Sequence, residues 1–214
     1  MATVLIVGAS RGIGLETVKR ALEAGHKVRA LARSARRIPI DHPDLEKVAG
    51  DALDPTTVKR ALDGVDAVIE TLGVAPSPEV IFKPVRLFSK ATRLLVDLMV
   101  AAEIKRVICV TGIGAGDSRD KGGFLYSVVL LPLLLKRVYD DKDVQEQIIR
   151  KSTLDWVLVR PGLLTRGPRT RSYRVLTNRD EWRMGKISRA DVADFLVKQI
   201  DEDTYLGSTP LLIN

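Results

Sequence analysis

The sequence predicts an α/β protein: a doubly wound parallel sheet with helices on both faces, in three αβα layers and one domain. Three observations predict it. Short β-branched apolar runs alternate with helix-period segments from end to end. Strands separated by helices of ten or more residues need crossover connections, and these make neighbouring strands parallel. A glycine-rich string stands between the first run and the first helical segment. The 214 residues, 45% of them apolar, can bury a substantial core, and no Ser/Gly-rich linker, repeat or charge block divides them.

The elements follow in order. Thr3–Val7 is a β-rich run. The next segment, 12–24, carries Ile13, Val18, Ala21 and Leu22 at helical spacing and is closed by Gly25. Lys27–Ala32 and Leu45–Ala49 are the second and third strands. Asp54 caps a helix over Pro55–Leu62, with proline at its first position. A strand over 65–70, a helix over 87–102 and a strand over 106–111 come next. A long helical region spans 124–151, bent near Pro132. Then come a strand over 154–160 that stops at Pro161-Gly162, a helix over 191–200 and a last strand, Leu211–Ile213. The non-periodic stretches 73–86, 112–123 and 161–184 all follow a strand's carboxyl end, the side on which open α/β sheets bind ligands.

Composition removes several function classes. One cysteine, Cys109, excludes an intramolecular disulfide framework and a multi-cysteine zinc site, and Cys109 itself reads as a buried strand residue. Two histidines, His26 and His42, are too few for a histidine-rich metal centre, and both read as surface or turn residues, so no metal is expected. The amino terminus enters an apolar run with no basic segment, which argues against a secretory signal. The longest apolar stretch, near 124–135, contains Pro132 and falls short of the ~20 residues that span a bilayer. The expectation is a cytoplasmic protein without a membrane partner. Lys and Arg number 34 against 27 Asp and Glu, a formal charge of +7. That excess suits nucleic acid, an anionic cofactor or nothing specific.

Gly8-Ala9-Ser10-Arg11-Gly12-Ile13-Gly14 decides between them. Its first glycine permits a tight turn. The later ones let backbone amides approach a pyrophosphate and the helix pack on the sheet, the fingerprint of a Rossmann-type dinucleotide site. The helix amino terminus adds unpaired N–H groups and partial positive charge. The second strand ends in Leu31-Ala32-Arg33-Ser34-Ala35-Arg36-Arg37, without a carboxylate for a bare ribose. Arg33, 19 residues after Gly14, and Arg11 suit a 2′-phosphate held by charge-assisted hydrogen bonds. NADP(H) is therefore preferred over NAD(H), while Arg36 and Arg37 face solvent.

This loop resembles the cofactor loop of short-chain dehydrogenases/reductases, and nearly the whole chain is similar to their atypical NAD(P)H-binding branch, which includes the flavin reductase/biliverdin reductase B type. The resemblance implies further contacts. Asp51, Ala52 and Leu53 would hold adenine; Thr71, Leu72 and Gly73 would lie by the adenosine ribose and pyrophosphate. Thr111 and Gly112 would sit beside the nicotinamide ribose, and Pro161, Gly162, Leu163 and Leu164 would line the carboxamide. The segment 187–193 is a late helix-start signature, chiefly structural. The chain departs from the main branch in lacking Tyr-x-x-x-Lys; Tyr139 and Lys142 stand three apart and share a helix face. Lys142 is a candidate for the nicotinamide ribose and for lowering the pKa of Tyr139 as an acid; Tyr139 alternatively just covers the helix side. Thr111 either binds a substrate carbonyl or ribose hydroxyl or simply ends its strand. Arg11 stands where the atypical branch usually has glycine.

Two loops bear on substrate. The apolar segment after Gly122-Gly123 reads mostly as a helix buried against the sheet, or as a face for self-association, with Phe124 and Tyr126 as candidates for a lid over an apolar substrate. Arg160, Arg166, Arg169, Arg171, Arg174, Arg179 and Arg183 concentrate charge after the sixth strand, where it would attract carboxylate or phosphate substrates or help hold the dinucleotide. Tyr173 and Trp182 offer too little aromatic interleaving for a nucleic-acid surface. The combined reading is an NADP(H)-dependent oxidoreductase, monomeric or homodimeric. It would pass hydride between nicotinamide and a small organic acceptor, anionic or apolar: a carbonyl, quinone, flavin or similar. Catalytic candidates are Thr111, Tyr139 and Lys142. The alternatives are a non-enzymatic NADP(H) sensor and a sugar-nucleotide epimerase, for which the roughly 50 residues after Pro161 leave little room.

Overall fold

A computed structural model describes residues 1–74, 84–118 and 135–214. Among the described residues, eight strands form one sheet, in the order β3-β2-β1-β4-β5-β6-β10-β8. They are β1 (Thr3–Val7), β2 (Lys27–Ala32), β3 (Leu45–Ala49), β4 (Ala67–Glu70), β5 (Arg106–Val110), β6 (Asp155–Pro161), β8 (Arg174–Leu176) and β10 (Leu211–Ile213). All neighbours are parallel except β10 and β8, which run antiparallel. β7 (Leu163–Thr165) and β9 (Lys186–Ser188) make a small separate parallel ladder. The helices are α1 (Gly12–Glu23), α2 (Pro55–Leu62), α3 (Leu87–Ala101), α4 (Lys136–Arg150) and α5 (Arg189–Lys198).

Strand alternation divides the core between two faces. Val4 and Ile6 of β1 pack with Val18 and Leu22 of α1 and with Val192, Phe195 and Leu196 of α5. Leu5 and Val7 pack on the opposite face with Val58 and Leu62 of α2, Leu95 and Met99 of α3 and Ile149 of α4. These are the three predicted layers. The chain winds from β1 outward to β3, then crosses back to β4, so the strand order reverses between β1 and β4 and opens a crevice at their carboxyl ends.

Helix starts explain most element boundaries. Asp54 accepts hydrogen bonds from the Thr56 and Thr57 amides, with Pro55 at the first helical position of α2. α5 begins at Arg189, two residues before the expected start, because Ser188 caps it: its Oγ accepts from the Asp191 amide at 2.9 Å. α3 has no cap of its own. Instead Asp141 of α4 accepts from the Phe88 amide at 2.8 Å, a cap supplied from another helix.

The structure corrects the reading of His26, which is 5% exposed. Its Nδ1 accepts from the Ala2 amide at 3.3 Å, and Nε2 lies 3.8 Å from Asp201, because the starts of β1 and β2 meet the end of α5 there. The fourth strand starts at Ala67, since Gly64 and Val65 still belong to the turn that ends α2 (Gly64 φ +65°). β7 and β8 are three residues each and lie within the expected non-periodic stretch 161–184; β9, also three residues, follows it. Of the expected helical region 124–151, residues 136–150 are helical; Pro132 and the lid candidates Phe124 and Tyr126 lie outside the described residues.

Candidate functional site

The crevice between β1 and β4 is lined by the glycine loop. Gly8 adopts φ +90°, and a Cβ there would stand 2.9 Å from the Thr71 carbonyl oxygen. A Cβ on Gly14 would collide with the Gly8 carbonyl and lie 2.6 Å from the Thr71 hydroxyl oxygen. The start of α1, the loop and the end of β4 are thus pressed together with no room for side chains. Gly8 and Ala9 also donate to the Leu31 carbonyl, which ties the loop to the end of β2. Arg11 caps α1 without a side-chain hydrogen bond, and no acidic residue occupies the helix's first turn. The amide ends of α1 thus carry no acid from their own first turn, and with the glycine loop they form a cradle whose shape and polarity fit a diphosphate. Ser10 and Ile13 are half-buried beside it; Gly12 is exposed.

On the β2–β3 side, Arg11 and Arg33 are both exposed, and so are Arg36 and Arg37. The Gly50 amide donates to the Ala32 carbonyl at 3.2 Å, which brings the segment after β3 against the end of β2. Asp51 Oδ1 accepts from the Leu53 amide at 3.0 Å. Ala52 is half-buried and Leu53 is exposed. Thr71 donates through both its amide and its hydroxyl to the Val7 carbonyl; Leu72 is half-buried and Gly73 exposed.

On the β5–β6 side, three candidates converge on the end of β5. Lys142 is buried, donates from Nζ to the Val110 carbonyl at 3.1 Å and stands 4.2 Å from the centre of the Phe88 ring. Tyr139, one helical turn earlier, places its hydroxyl 3.1 Å from where a Cβ on Gly112 would be. Thr111 is buried and donates its hydroxyl to Glu146 at 2.8 Å. Pro161 and Gly162 are buried: the Gly162 amide donates to Leu212 and the Leu163 amide to Gly185. Leu163 and Leu164 are exposed apolar side chains.

Behind these residues lies a buried polar cluster that the sequence did not single out. Glu70, at the end of β4, is 1% exposed; the Thr92 hydroxyl lies 2.8 Å from both of its oxygens and receives a bond from Gln145 at 2.9 Å. Burial raises the Glu70 carboxyl, opposed by the Thr92 hydrogen bond and by Lys142. Burial lowers the Lys142 ammonium, opposed by Cys109, Glu70 and Glu146. Burial, then the Glu70 charge, raises the Cys109 thiol well above its ordinary range, so the buried strand residue is not a nucleophile at neutral pH.

Arg160 is corrected from an anion-attracting loop residue to a core residue. It is fully buried, with Nε and Nη2 on the two Glu146 oxygens at 3.0 and 2.6 Å and Nη1 on Asp117 at 2.6 Å. This pins the glycine-rich turn after β5 against α4, helped by the Gly116 amide on Asp143 at 2.6 Å. Arg169 and Arg171 also approach carboxylates, Glu23 and Asp194 for the first and Asp194 for the second. The only local signal for the cluster was the presence of acids and amides within α4, which a helix-period pattern reads as a solvated face.

Residues 8–203 match a family model described as NAD(P)H-binding. Among curated relatives, the photosystem II assembly factor Ycf39 of Synechocystis is 24% identical over 96% of this chain and 60% of its own length. The chloroplastic protein TIC 62 of Arabidopsis thaliana is 28% identical over 90% of this chain and 32% of its own. The chain thus spans from a third to about three fifths of the lengths of these relatives. An NAD(P)H azoreductase of Xenophilus azovorans is 26% identical over 74% of this chain and 47% of its own length. Among solved structures, ChuY, an anaerobillin reductase from Escherichia coli O157:H7, superposes with a TM-score of 0.80 at 25% identity, over 99% of this chain and 96% of that one.

Proposed function

The chain belongs to the NAD(P)H-binding family, and from that membership we propose that it is an NADP(H)-dependent oxidoreductase acting on a small organic acceptor. The observation that carries this reading is the cradle formed by Gly8, Gly14 and Thr71 at the β1–β4 reversal, with Lys142, Thr111 and Tyr139 gathered one strand away at the end of β5. The names of two relatives, an azoreductase and an anaerobillin reductase, favour a conjugated acceptor over a simple alcohol–carbonyl pair.

When bound, the dinucleotide supplies the hydride, and the chain supplies place and field. The glycine loop and the α1 amides hold the diphosphate. Arg11 and Arg33 take the 2′-phosphate, and Asp51, Ala52 and Leu53 border the adenine. Gly112 and the buried 161–162 backbone set the nicotinamide end, with Leu163 and Leu164 as an apolar wall for the acceptor. Lys142 is held by the Val110 carbonyl at the ribose end. Tyr139, with its hydroxyl beside Gly112, is the acid in this reading.

The test is a panel. Purified protein is titrated with NADPH by fluorescence, then followed for NADPH oxidation with quinones, flavins, azo dyes and linear tetrapyrroles. Saturable binding and steady turnover with at least one acceptor are expected, and absence of NADPH binding would sink the reading. A second reading, an NADP(H)-responsive binding protein, draws on the hydrogen bonds that engage Lys142 and Thr111 with Val110 and Glu146. Tight binding with no turnover across the panel would select it.

A further inference from the structure

We propose that Arg189 is a ligand of the dinucleotide's diphosphate, closing over the glycine loop from the amino end of α5. The proposal rests on the reading of the glycine loop as the diphosphate site and adds to it a residue from the far end of the chain.

Three observations carry it. First, position. The Ser188 cap fixes where α5 starts, and α5 packs beside α1 through Val192, Phe195 and Leu196, so the amino ends of both helices meet at the crevice. Arg189 Nε lies 4.0 Å from where a Cβ on Gly12 would stand, and Gly12, at φ +60°, opens α1.

Second, charge. Arg189 is half-buried, and its Nη1 donates to a neutral acceptor, the Thr165 carbonyl, at 2.9 Å. Among the described residues no carboxylate pairs with it, whereas Arg160, Arg169 and Arg171 all approach Asp or Glu. A partly desolvated guanidinium without a counter-charge calls for an anion. The amide ends of α1 beside it lack an acidic neighbour as well.

Third, connectivity. The carbonyl that Arg189 holds belongs to Thr165, the last residue of β7, whose strand also carries Leu163 and Leu164. An anion on the free edge of the guanidinium would therefore link the diphosphate to the loop at the nicotinamide end. Arg189 becomes the bridge between the two halves of the site.

The roles of Arg189 and Arg33 separate by cofactor. NADPH and NADH share the diphosphate and differ at the 2′-phosphate. We expect Arg189→Gln to weaken both by about tenfold, the scale of a lost charge-assisted contact. Arg189→Lys keeps the charge and should fall between Gln and wild type. Calorimetric titration of wild type and both variants with NADPH and NADH decides the matter.

Any of three results overturns the proposal. One is unchanged affinity for both dinucleotides in Arg189→Gln. Another is a loss confined to NADPH, which would move Arg189 to the 2′-phosphate. The last is a Lys variant as weak as Gln, which would leave only the hydrogen bond to Thr165. Wild-type protein that binds neither dinucleotide overturns the functional reading itself, a result distinct from all three.

Discussion

At the scale of the residue, charge state and partner decide what each arginine is for. Arg160 and Arg33 are the same amino acid at the ends of parallel strands, yet one is fully buried between Glu146 and Asp117 and the other is exposed. The proposed function gives the exposed one the task of discriminating between cofactors. Arg33→Ala should weaken NADPH at least tenfold and leave NADH within about twofold, since only NADPH carries the group a guanidinium clamps there. Paired titrations check it, and equal losses would contradict the 2′-phosphate assignment. His26 shows the same principle from the opposite side. Nothing within a few residues of it foretells burial; the end of α5, far along the chain, encloses it.

At the scale of the element, α4 is the part whose function depends most on its neighbours. One of its faces packs apolar residues against the sheet through Ile148 and Ile149. Another carries Asp141, Lys142, Gln145 and Glu146 into the interior, where they cap α3, meet the end of β5 and pair with Arg160. Removing one member of such a buried pair strands the other charge. Glu146→Ala should therefore destabilise the fold by about 3–5 kcal/mol, read as a lower urea midpoint with an unchanged slope. Loss of the Thr111 hydrogen bond adds to this, so any turnover should fall as well. A midpoint within error of wild type would show that Arg160 finds another partner.

At the scale of the whole molecule, acid stability reports how the late segments are tied to the sheet. Burial works to raise the Asp191 carboxyl, but donors from Arg171, Ser188 and Thr170 outweigh it and hold the group below its ordinary range. The folded protein thus holds that proton less readily than the unfolded chain. The stability it contributes is complete above the unfolded carboxylate pKa, about 4, and is lost as pH falls through the lower folded value. Asp191→Asn should lower the unfolding temperature at pH 7 and flatten its decline between about pH 4 and 2. Thermal scans across that range would show it. Parallel wild-type and variant curves would contradict the assignment.

Periodicity alone sufficed for the parallel, doubly wound sheet, and glycine spacing for the crevice that opens at its strand reversal. Both are local: a strand's alternation, a helix's repeat and a turn's need for positive φ are written within a few residues. The glycine loop was legible because sterics at Gly8 and Gly14 admit no side chain. What the sequence by itself determined, then, was the winding of the sheet and the place of the close-packed glycine loop at its reversal. Tertiary structure alone decided which charges turn inward. Glu70, Glu146 and Arg160 resemble surface residues until strand and helix ends far apart in the chain enclose them. Burying a charge is tolerable only where a partner from elsewhere arrives to meet it. Arg189 follows the same rule. Its position in the sequence says helix start, and only the packing of α5 on α1 sets it beside Gly12, where no carboxylate among the described residues pairs with it.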